Sequence, residues 1–442
     1  MKVEWLRTVH VQFLFKSELL CYAKNVDSAS FVSFRNNINV KLNLKMRVMR
    51  NKKKTLIISL VLLACFASSA CAVSKGMKKV VDEALDFSVK QSMSMFSEMQ
   101  GQVGILPRTA KDGKMITCES PWWTSGFYPG TLWYCYEYSN DPQVRAAAEE
   151  MTSRVEKQKY TTSNHDVGFI INCSFGNGYR LTHNEAYREV IETAAKSLST
   201  RFHPVTGCTR SWNSKKWQFS VIIDNMMNLE LMFEATRLSG DSTFYDIARK
   251  HADTTMANHF RADNSCYHVV DYDPETGEVR KKQTAQGYAD ESAWARGQAW
   301  ALYGYTMCYR YTHDVKYLEQ AEKIYGFIFN NKNLPEDLVP YWDFDAPKIP
   351  DEPRDASAAA CTASALYELS TYIPGKGYKE KADKIMESLA SPAYRAEVGT
   401  NGNFILMHSV GSIPHGAEID VPLNYADYYF LEALMRKRDL EK

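Results

Sequence analysis

One plan recurs along most of this chain and limits what it can fold into. "GTLWYCYEYSNDPQVRAAAEEMTSRVEK" reads as a helix to about Ser139, a short "NDP" turn and a second helix. "DNMMNLELMFEATRLSGDSTFYDIARKHADTTMANHF" repeats it around "SGDS", "GQAWALYGYTMCYRYTHDVKYLEQAEKIYGFIFNN" around "THD", and "ASAAACTASALYELSTYIPGKGYKEKADKIMESLA" around "IPGKG". A weaker copy spans about Gly168 to Phe202 with "THNE" between its helices. In each copy the first helix is apolar or rich in small residues and the second is amphipathic. A helix apolar all round is buried, while an amphipathic one keeps a face to water. The first helices therefore form an inner layer and the second an outer layer. The opening helix (about Lys75 to Gln100) and the closing one (about Tyr425 to Arg436) supply a sixth pair. The expected class is all-α, an (α/α)6 barrel of six helical hairpins. An open solenoid is the alternative that such repeats permit, but no polar capping repeat is visible.

The domain plan is one barrel over residues 73–442, preceded by two segments of another kind. Arg50 and Lys52 to Lys54 precede an apolar run from Leu56 to about Ala67, followed by small residues. That order reads as an export signal over residues 49–72, too short for a comfortable membrane span. "LLAC", ending at Cys65, resembles a lipoprotein signal, and "ASSACA" resembles an ordinary cleavage site. The expectation is a periplasmic protein, either soluble or lipid-anchored through Cys65. Residues 1–48 show no helical period; they read as an extension upstream of the true start at Met46 or Met49, or as a disordered one. Beyond the signal, seven widely spaced Cys form no CxxC pair, against a zinc knuckle or a disulfide framework and for buried thiols.

The irregular stretches are placed unevenly. "PWWTSGFYPG", "NHDVGF", "VIID", "QGYADESAWARGQAW" and "YWDFDAPKIPDEPRDAS" each precede an inner helix. In a barrel of antiparallel hairpins all inner-helix N-termini point to one rim, so these segments meet at one mouth. Gathered at that mouth are aromatic faces (Trp122, Trp123, Trp212, Trp294, Trp300), two carboxylates (Asp166, Asp224) and the polar groups His165, His268, Gln286 and Arg296. Aromatic walls with a carboxylate pair suit carbohydrate chemistry, and open helix N-termini favour an anionic ligand. Each residue also has a plainer reading. Asp166 and Asp224 stand where N-caps are expected. Arg296 has a structural partner available in Asp355, the tryptophans suit a core, and His268 falls in a β-hairpin turning at Gly277.

A formal net charge of +1 gives no basis for nucleic-acid binding. GxxxxGK[ST], HExxH and GxSxG are all missing, which leaves acid–base chemistry with no metal and no cofactor.

"WWTSGFYPGTLWYCYEY", "NHDVGF", "VIIDNMMNL", "SCYHVVDYDPETG", "WARGQAWALYG", "YWDFDAPKIPDEPRDASAAA" and "YADYYFLEAL", in that order over about residues 76–437, resemble the unsaturated glucuronyl hydrolases, glycoside hydrolase family 88. The resemblance implies the barrel inferred above, and a substrate whose terminal uronic acid carries a C4–C5 double bond left by a polysaccharide lyase. It implies hydration of that bond. An acid protonates C4, water adds at C5, and the resulting hemiketal opens to release the sugar. It places the acid, later the base, at Asp224 and an assisting carboxylate at Asp166. The pKa of Asp224 would be raised by its apolar surround and by Asp166. His165, His268, Trp123, Trp212, Gln286, Trp294, Trp300 and Arg296 would shape the sugar site, Arg296 as a candidate for the substrate carboxylate. Trp122 and Ala285 depart from the family pattern. Related unsaturated rhamnogalacturonyl hydrolases, an inverting glycosidase using Asp166 and Asp224, and a non-catalytic glycan-binding lipoprotein are the competing readings.

Overall fold

The structure, a computed structural model, describes residues 76–442. The extension 1–48 and the signal-like segment 49–72 lie outside the described residues. Twelve helices follow in chain order: α1 (76–99), α2 (Phe127–Ser139), α3 (Pro142–Ser153), α4 (Val167–Ile171, a π-helical turn Asn172–Gly176, then Asn177–Thr182), α5 (Glu185–Ser199), α6 (Asn225–Ser239), α7 (Ser242–Asn258), α8 (Ala295–Thr312), α9 (Val315–Asn330), α10 (Ala356–Tyr372), α11 (Tyr378–Ala390) and α12 (Asn424–Asp439). The even-numbered helices are the inner ones. In α10 every residue from Ala356 to Leu369 is buried, and in α8 every residue from Ala295 to Cys308. Outer α9 buries only Tyr317, Gln320, Ala321, Ile324 and Ile328, one helical stripe. The inner helices pack in the order α2, α4, α6, α8, α10, α12, and α12 returns to α2. The ring closes, so the fold is the (α/α)6 barrel rather than a solenoid, within one unit spanning Met77–Lys442.

Four outer helices, α3, α5, α7 and α9, start on conventional caps. Asp141, Asn184, Asp241 and Asp314 accept the backbone N–H two residues on, at 2.8, 3.0, 2.9 and 3.2 Å. The inner ring depends on absent side chains. A Cβ on Gly126 would lie 2.1 Å from the Ile170 carbonyl oxygen, and one on Gly130 2.5 Å from that of Cys173. These contacts set how closely α2 approaches α4. Gly126→Ala should therefore destabilise by about 3 kcal/mol, the upper end of overpacking costs, read as a lowered Cm in urea.

Short antiparallel strands sit in the lead-ins to the inner helices: β1 (Ile105–Lys111) with β2 (Lys114–Glu119), β3 (Phe202–His203) with β4 (Cys208–Thr209), β5 (Ser220–Ile222) with β6 (Val269–Tyr272) and β7 (Val279–Gln283), and β8 (Ser409–Ser412) with β9 (Ala417–Val421). The hairpin expected around Gly277 is β6–β7, with Gly277 at φ 79°. The apolar run before Asp224 is strand β5, an element its sequence did not announce. Of the seven cysteines described, Cys118 is half-buried and the other six are buried, and all are free thiols.

Candidate active site

Asp166 and Asp224 occupy the N-cap positions of α4 and α6, yet neither side chain makes a cap bond. They differ in this from the capping acids of the outer helices. Asp224 is 7% exposed, and its Oδ2 is buried without a hydrogen-bond partner. Leaving a carboxylate oxygen unmet costs stability, so the site holds a group that folding alone does not need.

Sheet register sets what faces Asp224. Ile222 pairs with Val269, and the Ile223 N–H donates to the His268 carbonyl at 3.0 Å. His268 thereby sits beside the start of α6, with Nε2 3.7 Å from Asp224 Oδ2. Its Nδ1 accepts the backbone N–H groups of Ala285 at 3.0 Å and Gln286 at 3.1 Å. Backbone N–H groups only donate, so the neutral ring carries its proton on Nε2, toward Asp224. On α4's approach, His165 Nε2 lies 3.4 Å from Asp166 Oδ1. Both imidazole pKa values are driven well below the usual value, by burial first and then by cations, Arg201 for His165 and Arg296 for His268. Both rings are neutral, and each has an Nε2 without a hydrogen-bond partner.

The same environment acts in reverse on the acids. Burial pushes Asp224 up to about 7, while Arg296 and the nearby Trp300 indole favour its ionised form. The Trp300 N–H is close to Asp224 but completes no hydrogen bond. Asp166 is pushed up to about 8 by burial and then by the charge of Asp224. The like-charge effect expected on Asp224 thus falls on Asp166, and burial is what raises Asp224.

Aromatic rings complete the walls. Trp212 meets His165 and His268 edge-on, at centroid distances of 6.4 and 6.3 Å. Trp294 packs 4.6 Å from His268, and Trp123 lies 4.9 Å from Tyr425. Trp300 is fully buried against Phe169 and Tyr429, so it is a floor rather than an accessible stacking face. Trp122 stands farther out, 38% exposed with the Arg108 guanidinium over its ring. Gln286 donates its side-chain N–H to the Gly411 carbonyl at 3.2 Å.

Arg296 is where the structure departs from expectation. It is 1% exposed, stacked behind Trp294, and paired with Asp355 at 2.9 Å. Its Nη groups also donate to the carbonyls of Val410 and Gly411. Both Nη atoms are engaged, so its end-on fork is taken and only the buried Nε–H is without a partner; the structural pair with Asp355 is present. Asp355 caps α10 as well, accepting the Ser357 N–H at 3.1 Å. Arg296→Met should therefore lower stability by about 3–5 kcal/mol, the cost of stranding a buried charge. Urea denaturation checks this, with the largest effect expected in Cm rather than KM.

The sixth lead-in, the β8–β9 hairpin, was missed because it carries no Trp and no His–Asp pair adjacent in sequence. It provides the Val410 and Gly411 carbonyls, and Glu418 pairs with Arg108 at 2.5 Å. Its position before an inner helix was the available signal. Asn228, one turn after Asp224 on α6, was also passed over; its i, i+4 spacing from Asp224 marks it as facing the same way. Among the described residues, no group of three or more His, Cys, Asp or Glu side chains could hold a metal ion. The arrangement offers one acid raised to about 7, a second raised to about 8 and two neutral imidazoles inside aromatic walls.

Comparisons with known proteins agree with this chemistry. Residues 99–436 match the profile of Glycosyl Hydrolase Family 88. An unsaturated glucuronyl hydrolase of Formosa agariphila is 51% identical over 321 residues, covering 72% of this chain and 80% of that protein. An unsaturated chondroitin disaccharide hydrolase of Streptococcus pneumoniae is 34% identical over 325 residues, covering 71% and 81%. The crystal structure of an unsaturated glucuronyl hydrolase specific for heparin has a TM-score of 0.80 at 45% identity, covering 82% of this chain and 98% of that one. Barrel, site and sequence all point the same way: this chain is an enzyme belonging to glycoside hydrolase family 88.

Proposed function

We propose that the enzyme removes a 4,5-unsaturated uronic acid from the non-reducing end of glycosaminoglycan-derived oligosaccharides by hydrating the C4–C5 double bond. The observation that carries this is Asp224, whose buried carboxyl is raised to about 7 with Oδ2 unpartnered. A group poised there can give its proton to C4 and then take one from the water that adds at C5. The hemiketal formed at C5 opens and frees the sugar. An inverting glycosidase needs its second carboxylate ionised as a base. Asp166, raised to about 8, is held the other way, which favours the hydration reading. Neutral His165 and His268, each with an Nε2 that no protein group engages, offer N–H donors to the uronate carboxylate.

Only a lyase leaves that double bond, so the enzyme acts downstream of polysaccharide lyases. The likeness to the heparin-specific relative makes heparin fragments the first substrate class. Disaccharides from heparin and chondroitin lyases test it: the ultraviolet absorbance of the conjugated double bond should disappear, fastest with the heparin products. If neither set loses absorbance, the reading fails. We further infer export to the periplasm from the basic and apolar run after Met49. The mass of the processed N-terminus from the native host separates an acylated Cys65 from a cut after the small residues, and an unprocessed chain would contradict export.

A further inference from the structure

We propose that Asn228 is a positioning residue that fixes His165 in the tautomer whose Nε2–H faces Asp166. The inference rests on the reaction just described. Asn228 is buried on α6. Its Oδ1 accepts the backbone N–H of Phe169, on α4, at 2.7 Å. A backbone N–H cannot accept, so this contact settles which way the amide faces. Nδ2 is therefore the atom 3.1 Å from His165 Nδ1, and it also reaches the Asp224 carbonyl at 3.3 Å. An amide N–H can only donate, so His165 Nδ1 carries no proton. The neutral ring bears its hydrogen on Nε2, which faces Asp166 Oδ1 at 3.4 Å and completes no hydrogen bond within the protein.

Gly168 keeps the amide in place. A Cβ there would lie 2.5 Å from Asn228 Oδ1, so α4 approaches close enough to hold the side chain in one orientation. The two histidines are fixed by different means. His268 takes its tautomer from two backbone amides, which no change short of proline removes. His165 takes its tautomer from one side chain, and that side chain also touches the residue bearing the catalytic proton. Asn228 thus ties the orientation of the ring facing Asp166 to the start of the helix that carries Asp224.

The test is Asn228→Asp, which keeps the acceptor for the Phe169 N–H but replaces the donor facing His165 with an acceptor. In full-length protein labelled with 15N-histidine, the wild-type His165 ring, assigned by its loss in His165→Asn, should show a bare Nδ1 and a protonated Nε2. In Asn228→Asp the proton should move to Nδ1, with kcat on unsaturated disaccharide falling by about 20-fold or more and KM changing less than about threefold. A wild-type ring protonated at Nδ1 overturns the proposal without any variant. A switched tautomer with kcat within about threefold of wild type overturns it too. Failure of the proposed reaction is separate: wild-type enzyme would then leave the disaccharide intact whatever the tautomer.

Discussion

Asp224→Asn should abolish turnover, by on the order of 10³–10⁴-fold in kcat, while the barrel stays folded. The amide cannot release a proton to C4 or take one from water, and no other buried acid lies unpartnered beside His268. The same substitution should stabilise the protein at alkaline pH. A buried carboxyl raised from 3.8 to about 7 favours its protonated form in the folded state. The cost of ionising it is absent below the unfolded value, grows as pH rises between the two, and is complete above about 7. At pH ~8 the Asn variant should be more stable by up to about 4 kcal/mol, and the gain should shrink toward pH ~5. Urea melts at both pH values check this. An inactive variant that is also less stable at pH ~8 would mean the carboxylate serves the fold.

The second large effect is on the pH profile. Asp224 must be protonated to start the reaction, so kcat should fall as pH rises through about 7. Asp166→Asn should cost about 10²-fold in kcat but leave that limb where it is, because burial, not Asp166, raises Asp224. A limb that moves down by a full unit in Asp166→Asn would transfer the cause to like-charge repulsion. Rate profiles of both proteins over the neutral range decide it.

Much of this was legible in the sequence, for a physical reason. The alternation of all-apolar and striped helices is a burial pattern, and it predicts α2 to α12 with ends close to those observed. Placing the lead-ins at one rim follows from hairpin geometry alone, which is why His165, Asp166, Asp224 and His268 could be gathered across more than a hundred residues. Orientation was not legible. Asp141, Asp241 and Asp314 cap outer helices, while Asp166 and Asp224 sit at the same position of inner helices without capping. Local sequence is alike in the two cases, and only packing turns the second pair inward. Arg296 was ambiguous because Asp355, its partner, lies 59 residues away. The β5 strand was hidden because it is only three residues long, and "VII" after Ser220 shows no period of two.

The most direct measurement compares two disaccharides that differ only in the C4–C5 double bond. Hydration needs the bond; direct attack on the glycosidic linkage does not. The wild-type enzyme should release the sugar from the unsaturated disaccharide and leave the saturated one untouched. Cleavage of both at comparable rates would contradict the account.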